Sequence, residues 1–340
     1  MEIFDNIAIS SRIRLARNVS GFKFYTKQNS DDAAFITTEV RKVLEGFDLF
    51  NFMSLRQLSL NECEALFEQH LISRELIENK DISGVAISED ESVIVMLNEE
   101  DHIREQCIFP GFNLLKAYRH INKIDNAIIK NLDIAFDDEL GFITASPSNL
   151  GTGMRASVML FLPAHEFYNK IAGLIDEAGR CGLTVRGIYG EGSSAIGSFY
   201  QISNQGSLGL SEEEIIDEVM DFIYTVCREE KKLREELLIL ERDKVLDEGQ
   251  RAYAILTNAH MLDEKECMEL LSRLKLVCEI GKMEILDEKA YLKLYHECGS
   301  AYLREIFNFA DTNENFAKIE EKRVRAEYIS NKIRNLVSRR

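Results

Sequence analysis

The sequence predicts an α+β fold: a largely antiparallel sheet flanked by helices over residues 1–230, followed by a helical bundle domain over residues 231–340. Three observations carry this prediction. Short β-branched or alternating apolar runs, bounded by turn residues, recur through the first part. Amphipathic segments lie between them without alternating one-for-one, which disfavours a doubly wound parallel sheet. From Ser211 onward the strand signal almost vanishes and helix follows helix.

The elements follow in order. DDAAFITTEVRKVLEGF (31–47) spaces its apolar residues three and four apart, as a helix with one buried face does. DISGVAIS (81–88) and ESVIVMLN (91–98) read as two strands, with ISED–ES as the hairpin turn between them. PGFNLLKAYRHINKIDNAIIKNL (110–132) is the next helix. LGFITAS (140–146), RASVMLFLP (155–163) and LTVRGIYG (183–190) are strand candidates. AHEFYNKIAGLIDEAGRCG (164–182) reads as one helix stopping at glycine. Ser211 and Glu214 form a capping box that opens a long charged helix over 212–242. Further helices fit 262–281, 285–299 and 314–337, with Asp263 and Asp287 as caps. The domain boundary is expected near 225–245, and no internal repeat is visible.

Composition narrows the function classes. The chain has 340 residues, 45% apolar and 29% charged, with only three prolines, which suits a folded protein with little disorder. The net charge of −17 opposes nucleic-acid binding unless bases are segregated. The basic terminal stretch 320–340 reads as the solvated face of a helix. No apolar run reaches a membrane-spanning length, and the N-terminus lacks the pattern of a signal peptide. The seven scattered cysteines never form C-x-x-C, which points to a reducing cytoplasm rather than to disulfides or structural zinc.

An acidic chain that binds a polyphosphate needs a concentrated cluster of arginine. The P-loop and protein-kinase signatures are absent. YGEGSSAIG and NLGTGMRAS contain glycine pairs that read as tight turns. The arginines are more informative. SSRIRLARN places Arg12 and Arg14 on one face of an extended segment. NEEDHIREQC sets Arg104 behind carboxylates and a histidine. NLGTGMRASV sets Arg155 at the start of a strand, and VRGIYGEGS sets Arg186 five residues before Glu191. Arginine within an apolar strand is costly unless it meets an anion or a carboxylate. Its forked, permanently charged head suits phosphate.

SSRIRLARN, MLNEEDHIR, PSNLGTGMRAS and RGIYGEGS, in that order, resemble the catalytic blocks of the phosphagen (ATP:guanido) kinases. HLIS, QISNQ, the helical C-terminal domain and the absence of a helical domain before SSRIR resemble the bacterial protein arginine kinases of that family, the McsB type. The resemblance implies ATP and Mg²⁺ as cofactors. It implies that Arg12, Arg14, Arg104, Arg155 and Arg186 bind ATP phosphates, and that Glu100 and Glu191 hold the substrate guanidinium. Glu100 is implied as catalytic base, and Glu99 as linked through water to magnesium, with no direct protein metal ligand. Further implications are protein substrates bearing exposed arginine, a stress-response role, a zinc-binding activator protein, Clp-type protease machinery and a homodimer.

The physical chemistry agrees with these roles. A guanidinium has a pKa above ~12 and is a poor nucleophile. Two carboxylates can fix its plane for in-line attack, and one can take the proton as the N–P bond forms. Two departures stand out. Ser146 in Ser146-Pro147-Ser148-Asn149 replaces the family's reactive cysteine; serine can still bond a guanidinium N–H. Met159 stands where creatine and arginine kinases tend to place a histidine near adenine. His102 reads as structural, orienting the acidic loop. The family's phosphoarginine pocket in the C-terminal domain is poorly matched by EEKRVRAEYI and is not carried over. Two other readings compete: a small-molecule guanidino (free arginine) kinase, and a catalytically weak regulatory adaptor.

Overall fold

The computed structural model describes residues 4–47, 50–188, 195–279, 281–307 and 314–339. Its first part is built on strand β1 (Ala8–Arg17), helix α1 (Ser30–Leu44), β2 (Phe50–Ser54), α2 (Leu60–Glu68), α3 (Arg74–Glu78), β3 (Gly84–Ser88), β4 (Val93–Leu97), β5 (Ile103–Pro110) and α4 (Leu114–Asn131). There follow the two-residue strands β6 (Phe136–Asp137) and β7 (Gly141–Phe142), then β8 (Met154–Phe161), α5 (Pro163–Phe167), α6 (Ile171–Arg180), β9 (Leu183–Gly187) and β10 (Phe199–Asn204). Eight strands form one sheet in the order β2-β3-β4-β5-β1-β8-β10-β9. Every pairing in it is antiparallel, as expected.

The alternation of β1 divides the sheet into two unlike faces. Ile13 and Leu15 are buried in the main core with Val93, Val95, Ala156, Val158 and Ile202, beneath α1, α4 and α6. The opposite face is covered only at its sides. On one side Cys63 of α2, Leu76 of α3 and the neighbouring Leu55 and Leu71 pack against Val85, Ile87, Ile94 and Met96. On the other, Phe161 and Phe199 join the core of the helical domain, with Met159 packed against it. The strip between these covers carries the arginines of β1, β5 and β8.

The helical part comprises α7 (Glu212–Leu240), α8 (Arg242–Asn258), α9 (Glu264–Cys278), β11 (Met283–Ile285), α10 (Glu288–Glu297), α11 (Ser300–Phe307), α12 (Glu314–Leu336) and β12 (Val337–Arg339). The Ser211–Glu214 capping box forms. Asp287 caps α10 through Ala290 N–H, whereas Asp263 makes no side-chain cap. The long helix breaks at Glu241 into α7 and α8. The first half of α7, through Ile215, Ile216, Val219 and Ile223, belongs to the core of the sheet domain.

Four sequence expectations change. Segment 164–182 is two helices, broken where Asn169 adopts φ 54°, a left-handed conformation that asparagine tolerates. Segment 140–146 supplies only the two residues of β7. A small antiparallel pair, β11 with β12, lies in the otherwise helical part. The basic terminal stretch is not simply solvated. Arg325 is 2% exposed. It donates to the carbonyls of Cys298 and Leu262 and to Glu321.

Candidate active site

Antiparallel register gathers the arginines. Arg14 of β1 pairs with Arg155 of β8 on one side and with Gln106 of β5 on the other. Arg104 lies opposite Ala16, two residues along, and Arg12 lies opposite Ser157. Directly paired residues share a face, so Arg12, Arg14, Arg104 and Arg155 rise from the same side of three adjacent strands. Arg186 of β9 pairs with Gln201 of β10, which pairs with Met159 of β8. It stands on the same face, at its far edge. Five arginines from four separate sequence blocks thus share one surface.

Their neighbours hold them by polar contacts that leave most of the guanidinium nitrogens available. Arg12 donates to Gln201 Oε1 at 3.0 Å, and Arg155 donates to Ser203 Oγ at 2.9 and 3.2 Å. Arg14 and Arg186 make no hydrogen bond or ion pair among the described residues. Burial and then the charges of Arg104 and Arg155 pull Arg12 down to about 10. Burial, then Arg186 and Arg104, bring Arg155 to about 10. Arg14, half-buried, is lowered as well, by desolvation and then by the charges of Arg12, Arg104 and Arg155. Arg12, Arg14 and Arg155 are each destabilised by neighbouring guanidinium charge, so a bound polyanion would relieve that repulsion.

The acidic side of the site comes from the β4–β5 turn. Asn98, with φ 58°, turns the chain, and its side-chain amide donates to the carbonyls of Ala33 and Ile82. Glu99 is fully buried and ion-paired with Arg104. Burial, the largest single influence, would raise its carboxyl, but the Arg104 charge and the hydrogen bonds the carboxylate receives together lower it. The second oxygen of Glu99 finds no hydrogen-bond partner. Glu100 is half-buried, and its carboxylate makes no hydrogen bond or ion pair among the described residues. Burial, then the charges of Asp101 and Glu99, push its carboxyl above the usual range.

Two residues lock this turn to the rest of the site. Asp101 Oδ1 accepts from Asn18 Nδ2 at 2.6 Å and from Ala145 N–H at 2.7 Å. That carboxylate joins the turn of Glu100 to the segment of Ser146. His102 Nδ1 accepts from Val19 N–H at 3.1 Å, and its Nε2 lies 2.9 Å from the Lys23 carbonyl. A neutral ring with its proton on Nε2 satisfies both contacts, and burial lowers the His102 pKa accordingly. Ser146 is half-buried, with Oγ 2.9 Å from Ser148 Oγ. Glu191 lies outside the described residues.

The glycine-rich turn before Arg155 has its own reason. Gly151 and Gly153 have φ of +112° and +66°. A Cβ on Gly153 would stand 2.5 Å from Arg17 Nη1 and 2.6 Å from the Ala16 carbonyl. Arg17, fully buried, forks onto Asp125 at 2.8 and 2.9 Å and donates to the Thr152 carbonyl. Gly153 therefore permits close packing against Arg17 and Gly151 close packing against the Ser207 carbonyl, and the turn sets the start of β8. Arg17, Asp101, Asn18, Gln201 and Ser203 carried no separate signal in the sequence, although Arg17 and Asn18 lie in SSRIRLARN and Asp101 in NEEDH.

A nucleotide polyphosphate fits this surface by charge and by donor type. For magnesium, no group of three or more His, Cys, Asp or Glu among the described residues could hold an ion directly. A magnesium ion carried by a nucleotide is bound chiefly through phosphate oxygens and water. The unpartnered Glu99 oxygen is a suitable acceptor for such a water.

The model of the ATP:guanido phosphotransferase C-terminal catalytic domain matches residues 34–233, and that of the protein-arginine kinase McsB C-terminal domain matches 242–340. Arg12 and Arg14 precede the first match. The protein-arginine kinase of Clostridium acetobutylicum is 39% identical over 335 residues, covering 97% of each chain. That of Bacillus cereus is 41% identical over 294 residues, covering 85% of this chain and 83% of the relative. Among solved structures, the duplicated taurocyamine kinase of Schistosoma mansoni with bound transition-state-analogue components aligns with a TM-score of 0.62 at 28% identity. The alignment covers 69% of this chain and 34% of that one. A lombricine kinase shares the fold, with a TM-score of 0.57 at 24% identity over 68% of each chain.

Proposed function

This chain belongs to the ATP:guanido phosphotransferase family, and from that premise we propose that it is a protein arginine kinase, moving the γ-phosphoryl group of Mg-ATP to arginine side chains of proteins. The observation that carries the reading is the convergence of Arg12, Arg14, Arg104, Arg155 and Arg186 on one sheet face, beside the Glu99–Glu100 turn. Relatives that match nearly the whole chain, helical domain included, bear the name protein-arginine kinase.

In the proposed mechanism the five arginines hold the phosphates and neutralise charge on the transferring group, which is where phosphoryl transfer is stabilised. Magnesium, when bound, adds charge neutralisation between phosphate oxygens. Glu100 and Glu191 grip the substrate guanidinium, with Ser146 as a further acceptor. As the guanidine nitrogen forms its bond to phosphorus, the bond from phosphorus to the β,γ-bridging oxygen breaks. The N–H proton passes to Glu100 and ADP leaves. The raised Glu100 carboxyl is a better proton acceptor than an ordinary one. It stays far below a free guanidinium in basicity, so proton loss is late and coupled to transfer. Glu99 holds Arg104 and would accept from a water of the bound magnesium.

The setting we infer is the cytoplasm, in protein quality control, with a zinc-binding activator, a Clp-type protease as downstream partner and a homodimer as the assembly. Among the described residues no helix is long and apolar enough to cross a membrane. The net charge of −17 favours encounter with basic client segments.

The test is incubation with Mg-ATP and, in parallel, histone and free arginine. Acid-labile, base-stable phosphate on histone is expected. Label on free arginine alone would replace this reading with a metabolite kinase. Label on neither, with activator present, would indicate an adaptor.

A further inference from the structure

Helix α4 lies on the core face of the sheet and buries Leu114, Ala117, Ile121, Ile124 and Ile128 against it. Its outer face is basic. Lys116, Arg119, His120 and Lys123 are all exposed, and their spacing of three and four residues sets them in one stripe. The stripe covers about 10 Å of helix at ~1.5 Å per residue. The only acid in α4 is Asp125, and both of its oxygens are committed to Arg17. Lys116, Arg119 and Lys123 make no ion pair among the described residues. In a chain of 58 acids and 41 bases, such a row runs against the overall balance.

The row borders an apolar hollow. A cavity of about 420 Å³ is lined by the four basic residues together with Phe112, Leu114, Leu115 and Met220 of α7. Phe112 is backed by Phe4, with the rings stacked 4.1 Å apart, and Leu115 is 41% exposed. Phe109 of β5 braces two members of the row: Lys116 Nζ lies 4.5 Å from its ring centroid, and the His120 ring meets it edge-on at 5.7 Å. Nearby acids leave the row unneutralised. Asp217 and Asp221, beside Met220 on α7, make no ion pair among the described residues. Asp90 Oδ1 accepts from Ser88 and Ser92 instead. Exposed cations and an open apolar wall thus share one groove.

We propose that this groove docks an acidic segment of a partner protein, one that carries an apolar side chain among its carboxylates. The row attracts carboxylates that the rest of an acidic surface repels. The wall of Phe112, Leu115 and Met220 takes the apolar side chain out of water. A polyphosphate or a nucleic acid would meet only the cations, would leave that wall exposed, and would face the net charge of −17. The groove is separate from the phosphate-binding surface. α4 packs on the core face of the sheet, whereas the five arginines rise from the opposite face. A segment docked on α4 therefore leaves the arginines free and tethers its protein to the enzyme, which raises the local concentration of whatever that protein presents.

Fluorescence anisotropy of the full chain with a short fluorescein-labelled peptide repeating Glu-Glu-Leu tests it. Saturable, salt-sensitive binding is expected. The double variant Arg119→Glu/Lys123→Glu should weaken it about tenfold or more, since two attractions become repulsions. Arg119→Gln/Lys123→Gln, which adds no like charge to α7, should weaken it by a smaller factor. Leu115→Asn, or a peptide with serine in place of leucine, should each cost about threefold. Histone phosphorylation without peptide should stay within about twofold of wild type in all three variants, as for ordinary surface substitutions. Absence of saturable binding, or binding unchanged in both double variants, would overturn the proposal. So would binding lost in Arg14→Gln but kept in the α4 variants, which would put the peptide on the phosphate-binding face. Inorganic polyphosphate that displaces the peptide from wild type, with no effect of Leu115→Asn on peptide binding, would make the groove a general polyanion site and overturn it as well.

Discussion

In the proposed mechanism Glu100 is the residue on which the chemistry turns. Burial and the flanking Glu99 and Asp101 charges raise its carboxyl, and it must be ionised to accept a proton. Activity is therefore lost as pH falls through the Glu100 pKa, and the acid limb of kcat/KM should lie above the ~4.3 of an ordinary glutamate. Glu100→Gln should lower kcat by about 10²–10⁴-fold, the usual worth of a positioned general base, and should remove that limb. A pH–rate profile of both proteins checks it. Ser146 gives a second residue-scale prediction. Ser146→Cys should keep turnover within about tenfold, the worth of roughly one neutral hydrogen bond, and should create sensitivity to thiol reagents. Insensitivity after thiol labelling would mean that position 146 does not face the substrate. The charged strings were readable at this scale because few other arrangements explain arginine in apolar strands. Asp101 was not readable as a joint, since its partners Asn18 and Ala145 lie 83 and 44 residues away.

At the scale of elements, strands that line the site are the ones composition conceals. β10, FYQISN, turns Gln201 and Ser203 toward the arginines and Tyr200 and Ile202 into the core. β5 carries Arg104 and Gln106 on the site face and buries Glu105 on the other. Neither reads as a strand by apolar content, because the face that serves the site is polar. β3, β4 and β8 stay legible because their buried residues are almost wholly apolar. The NLGTGM turn, by contrast, resembles a phosphate cradle, but Gly153 makes room for Arg17 and Gly151 for the backbone at Ser207. Arg17→Met tests this element. Leaving Asp125 buried without its partner should cost about 3–5 kcal/mol, read as a lowered urea midpoint. A midpoint unchanged from wild type would show that the Arg17–Asp125 pair does not fix the turn.

The whole molecule reconciles an acidic chain with an anionic substrate by segregation. Fifty-eight acids against 41 bases leave a negative surface, while one sheet face concentrates five arginines. That face is bordered by α2 and α3 on one side and by the helical domain on the other. The helical domain also reaches α2 directly: Glu68 accepts from Ala301 and Tyr302 N–H, both at 2.9 Å. Periodicity indicated a helical C-terminal region. It could not show that this region touches both borders of the arginine face, because the contacts join residues more than 70 positions apart.

The central claim is that phosphate passes from ATP to a guanidine nitrogen at this one site. Tandem mass spectrometry of a protein substrate after incubation with Mg-ATP measures it directly. Wild-type protein should place phosphate on arginine side chains, and Glu100→Gln and Arg14→Gln should each nearly abolish it. Phosphate confined to serine, threonine or tyrosine, or arginine phosphorylation undiminished in both variants, would contradict the account.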